Sequence, residues 1–190
     1  MVREAGAMVI SAAEKKLSIL FGLLIGGLWM GEVLLGNLAG TPVFGNLRDM
    51  HPRFSAMAGE FALAAVAMAA ICGLVAAHET GSIVTALRVG VWSGVLSGGI
   101  VFVTLLGVVT LFHGGMMQDP SNIQEFMRTA HRAPTEAELS SFLYWDALAG
   151  GLNHLWIGPA LGLTVGGIGA VFGKLSRHHE GRMRLASPQT

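Results

Sequence analysis

Charge is scarce in this sequence. Asp, Glu, Lys and Arg make up 13% of its 190 residues, against roughly a quarter in a typical soluble domain. The charges also balance, 12 cations to 12 anions, and no basic run is left to neutralise a phosphate backbone, which excludes a nucleic-acid partner. Cysteine is scarcer still. Cys72 stands alone inside an apolar run, so there is no internal disulfide and no thiolate metal motif, and the redox compartment stays open. A nucleotide-binding glycine loop, a nucleophile elbow and a zinc-protease motif are all missing. So is the Glu-x-x-His spacing of di-iron bundles. Catalytic residues and a cofactor are therefore unassigned.

What is abundant is apolar: 52% hydrophobic residues and 27 glycines. The apolar residues fall into four long runs, predicted as membrane helices over about 17–39, 55–77, 89–112 and 147–172. At about 1.5 Å per residue each run can cross a hydrocarbon core of about 30 Å. The first is longer than the apolar region of a signal peptide, about 7–15 residues. The predicted fold is an all-α, polytopic four-helix membrane bundle, one domain over 1–190.

The connections carry helix punctuation. Residues 1–16 suit a short interfacial helix or a frayed tail. Residues 41–54, with two prolines, Gly45 and Asn46, read as a loop. Gly81 can end the second helix and Ser82 can cap the third. Between helices three and four, residues 119–143 read as a helical segment outside the membrane. Asp119-Pro120 is a start signal, Pro134 a stop, and Thr135 with Glu138 a capping box that opens the last helix.

Orientation follows from the cations. With the N-terminus inside, Arg3, Lys15, Lys16, Arg88, Lys174, Arg177, Arg182 and Arg184 are cytoplasmic, whereas Arg48, Arg53, Arg128 and Arg132 are external. The positive-inside rule thus puts both termini in the cytoplasm and the protein in the cell membrane.

Glycines recur every four residues on two helices: Gly90, Gly94 and Gly98 on the third, and Gly150, Gly158, Gly162 and Gly166, with His154 among them, on the fourth. Such stripes let helix backbones approach closely. Counting residues from the span ends puts Glu32, Glu60 and His154 about 8–10 Å below the external surface, on three different helices. Asn153 lies beside them and His113 at the rim. A charge at that depth costs about 2.5–3.5 kcal/mol on insertion scales, so such groups face one another and not lipid. The small neighbours Gly36, Ala56 and Ala64 point to the same inward arrangement.

These features describe a small four-span membrane protein, read first as a non-catalytic homo-oligomer or accessory subunit of a membrane complex with a buried Glu/His cluster. Two other readings stay open. One is a proton- or ion-coupled transporter or channel in which Glu32, Glu60, Asn153, His154 and His113 bind the ion. The other is a metal- or haem-binding membrane redox protein, although His154 and His113 differ in depth by about two turns.

Overall fold

The computed structural model describes residues 11–38 and 51–186, and no strand occurs among them. The chain forms α1 (Ala12–Leu38), α2 (His51–Thr80), α3 (Ile83–Leu111), α4 (His113–Met117), α5 (Pro120–Ala130) and α6 (Glu136–Ala186). The four long helices, α1, α2, α3 and α6, are each long and apolar enough to cross a membrane. The N-terminal segment up to Ile10 and most of the loop read at 41–54, with Arg3 and Arg48, lie outside the described residues.

The helices begin and end where local chemistry dictates. Ser11 and Glu14 form a capping box at the start of α1: the Ser11 amide donates to the Glu14 carboxylate at 3.0 Å, and the Glu14 amide to Ser11 Oγ at 3.2 Å. Gly81, at φ +70°, turns the chain out of α2 in a left-handed conformation that glycine adopts without strain. Ser82 then caps α3 by accepting from the Thr85 amide at 3.2 Å. Asp119 caps α5 through the Ser121 amide at 2.9 Å.

The last helix departs from expectation. It is one uninterrupted helix of 51 residues, about 77 Å long at 1.5 Å per residue, more than twice the hydrocarbon thickness of about 30 Å. Its first turns stand beside α4 and α5 beyond the membrane, and its last turns project from the opposite end. The polar sequence after Gly173 ends the hydrophobic span without ending the helix. Within that projection Arg177 reaches back to donate to the carbonyls of His78 and Glu79, at 3.2 and 3.0 Å. Two carbonyls at the C-terminus of α2, left without helical donors, are thereby satisfied.

Beyond the membrane, Thr135 and Glu138 open α6. Hydrogen bonds from the Arg132 guanidinium first, and from the Thr135 amide and hydroxyl, push the Glu138 carboxyl down to about 2. Because this lies below the ordinary 4.5, the carboxylate's support is complete above that pH and is lost as the pH falls through about 2. The amides of Thr135 and Glu138 are expected to lose exchange protection across that interval, beyond the intrinsic pH dependence. Unchanged protection would show that the ion pair does not hold the turn.

Packing is set by small residues. The α3–α6 pair is antiparallel and backbone-tight: a Cβ on Gly90 would lie 2.5 Å from the Gly162 carbonyl oxygen, and one on Gly98 2.6 Å from that of His154. Gly94 and Gly158 face each other between them. Gly166 turns away from this seam and meets Ala69 and Gly73 on α2, because the two helices cross and the stripe drifts from one neighbour to the next. Helix α1 packs alongside α3, with Gly22 against Leu96 and Gly26 against Ile100. The principal contacts join α3 to α6, α2 to α6, α1 to α3 and α1 to α2, with α2 and α3 also touching. In section, α2 and α3 thus share the short diagonal, and α1 and α6 stand at the far corners.

The bundle's outside is apolar. Leu23, Leu63, Ile71, Val103, Leu163 and Phe172 are all exposed. A continuous apolar girdle of this kind is stable in lipid and not in water.

Candidate functional site

The intramembrane polar groups do share one layer. Gly31 of α1 lies against the Phe61 ring of α2, and the Trp29 ring of α1 stands edge-on to the His154 imidazole of α6, centroids 5.4 Å apart. From these two junctions Glu32, Glu60, Asn153 and His154 fall within about one helical turn, 5.4 Å, of a common height.

Within that layer the groups separate by direction. Glu32 and His154 are half-buried, on α1 and α6 at opposite corners of the bundle. His154 Nδ1 lies 2.8 Å from the Gly150 carbonyl oxygen. A carbonyl only accepts, so Nδ1 carries the hydrogen, and Nε2 is the ring's acceptor.

Glu60 and Asn153 are placed differently from the inward expectation. Both are exposed. Glu60 lies on the outer face of α2 with Leu63, Ala64 and Ala67, all exposed, and it has no hydrogen-bond or ion-pair partner among the described residues. Alanines were expected to mark a contact face, but α2 has alanine on every side, so they carry no direction. Asn153, one residue before His154, is rotated by about 100° from it. That rotation puts it with Ala149, Trp156 and Ala160 on the exposed face of α6. Among the described residues no three His, Cys, Asp or Glu side chains are placed to hold a metal ion.

His113 belongs to the cap and not to this layer. Its Nε2 lies 3.2 Å from Ser140 Oγ and its ring stacks on Tyr144 at 5.3 Å, tying the α3–α4 junction to the start of α6.

A set of residues that sequence reading passed over lies inside the bundle. Ser93 Oγ donates to the Ser18 carbonyl at 3.2 Å and lies 3.7 Å from Cys72 Sγ. Ser97, one turn further along α3, donates to the Gly94 carbonyl at 3.0 Å. The available signal was the four-residue spacing of Ser93 and Ser97, in step with the glycines of α3. These groups border a central cavity of about 10 Å³, lined also by Ile25 and Trp29 and of a size for about one water molecule.

No protein-family model, curated protein or solved structure matches this chain.

Proposed function

We propose that the chain is a non-catalytic subunit of a membrane assembly, and that its partner is a second copy of itself docked on the outer faces of α2 and α6. The observation that carries this reading is Glu60, an intramembrane carboxyl on the lipid-facing side with no partner among the described residues. Intramembrane ionisable groups almost always pair with protein. Asn153 is the complementary group: it is exposed at the same height, and its carboxamide both donates and accepts. In a two-fold dimer about the membrane normal, depth is preserved, so each Glu60 meets the other copy's Asn153. Purified protein in mild detergent is expected to have twice the 19.9 kDa chain mass. A strictly monomeric particle at every concentration would overturn the reading.

The cation asymmetry supports an orientation with both termini in the cytoplasm and the α4–α5 cap outside. A reporter fused after Thr190 should read cytoplasmic and one inserted near Asn122 external; an external C-terminus would refute the orientation.

The inward pair supports a second reading, in which Glu32 and His154 exchange a proton. A carboxyl and an imidazole half-buried in one layer of the bundle are the parts a proton relay needs.

A further inference from the structure

Helices α1 and α3 begin at the same end of the bundle and run parallel. The Ser18 carbonyl accepts from Ser93 Oγ at 3.2 Å, and a Cβ on Gly22 or Gly26 would meet the side chain of Leu96 or Ile100. In this register Lys15 of α1 and Arg88 of α3 differ in height by only about 3 Å at 1.5 Å per residue. Both stand just before the apolar runs that start at Leu17 and Val89.

The same contacts fix direction around each helix. With Gly22 facing α3, Lys15 is turned from that line by about 20° and Ile19 by about 60°, away from Ser18, at 100° per residue. With Leu96 facing α1, Trp92 is turned by about 40° and Arg88 by about 80° in the opposite sense, away from Ser93. In two parallel helices that face each other, opposite rotations open onto one side. Burial agrees: Lys15, Ile19 and Trp92 are exposed, Arg88 and Leu96 half-buried, and Ser18 and Ser93 buried on the far side. The α1–α3 edge is thus a lipid-facing groove with two cations at its mouth, an indole one turn further in and aliphatic walls beyond. It lies across the bundle from the α2–α6 face.

The chain itself does not neutralise these cations. Lys15 and Arg88 have no hydrogen-bond or ion-pair partner among the described residues. Glu14, beside Lys15 in sequence, is buried on the core side and accepts from the Ser11 amide.

We propose that this groove binds one anionic phospholipid per chain, with the phosphate between Lys15 and Arg88 and an acyl chain against Ile19 and Leu96. The guanidinium offers a fork of donors that matches phosphate oxygens. The Trp92 indole sits where an amphipathic ring meets the headgroup boundary. A soluble anion would leave the aliphatic part of the groove unused, and an apolar helix of another protein would leave both cations uncompensated; an acidic lipid answers both.

The test is native mass spectrometry of the full-length protein released from detergent containing equal amounts of phosphatidylglycerol and phosphatidylcholine. Phosphatidylglycerol should be retained preferentially, at one lipid per chain. Each cation near an anionic headgroup contributes about 1 kcal/mol, which corresponds to about fivefold in affinity. Arg88→Gln and Lys15→Gln should therefore each cut the preference about fivefold. Lys174→Gln, an exposed cation of α6 beyond the same end of the bundle, should leave it unchanged. Lys15 is exposed, so its variant covers the case in which Arg88→Gln does not fold. Equal retention of the two lipids by wild type, or a loss with Lys174→Gln as large as with Arg88→Gln, overturns the site. Displacement of the lipid by excess inorganic phosphate would show a soluble-anion site and overturn it likewise. Lipid is counted per chain, so the outcome is distinct from success or failure of the dimer.

Discussion

Replacing Gly94 by alanine is expected to destabilise the bundle by about 3 kcal/mol, the upper end of the range for overpacking, and replacing it by leucine should prevent folding. The reason is what the added atom meets. A Cβ on Gly94 would lie 2.5 Å from the Pro159 nitrogen and closer still to the Gly158 carbonyl. These are backbone atoms of a facing helix and cannot rotate aside as a side chain could. The helices must separate, and the contacts from Gly90–Gly162 to Gly98–His154 are lost together. Gly107→Ala is the matched control, because nothing lies within 4 Å of its added atom. That variant should change stability by less than about 1 kcal/mol, the scale of glycine's helix propensity. Thermal unfolding in detergent measures both. Equal melting of Gly94→Ala and Gly107→Ala would show that α3 and α6 are not in backbone contact.

Glu60→Leu is expected to dissociate the dimer while leaving the monomer folded. Interhelical hydrogen bonds within membranes contribute about 1–2 kcal/mol each in model peptides. A two-fold interface contains two Glu60–Asn153 pairs, so their combined loss weakens association by about 30- to 1,000-fold. The leucine itself faces lipid as Leu63 does and removes an unpaired carboxyl from hydrocarbon, so monomer stability should hold or rise. Glu60→Gln keeps hydrogen-bonding capacity and should remain mostly dimeric. A dissociation constant for Glu60→Leu equal to wild type would remove Glu60 from the interface. Loss of the fold in Glu60→Leu would mean that the carboxyl serves its own bundle instead.

Length and composition made the four spans legible, because an apolar run that fits the bilayer has few other uses. The caps at Ser82, Asp119 and Thr135 were legible for a similar reason: each hydrogen bond is made within three residues of the side chain supplying it. Depth was readable too, since a helix converts residue count into height, which put Glu32, Glu60 and His154 in one layer. Direction around the helix was not. It depends on which neighbour a face meets, and alanine-rich α2 gives no contrast between faces; Glu60 was therefore expected inward and lies outward. The same limit hid the partner of Gly166, which a helix crossing hands from α3 to α2. It also hid the Ser18–Ser93 contact, which joins residues 75 apart in sequence. Nor did polarity after Gly173 reveal that α6 continues to Ala186, because helical hydrogen bonding does not require an apolar face.

The most direct test of the central claim is cross-linking inside the native membrane. With the buried Cys72 replaced by serine, cysteines are introduced at Ala64 and Trp156, both exposed and each about one turn from Glu60 or Asn153. Oxidation should yield a single covalent dimer, and a matched variant with cysteine at Leu20, on the exposed face of α1, should yield none. Monomer alone from the Ala64–Trp156 variant, or equal dimer from Leu20, would contradict association through the Glu60–Asn153 face.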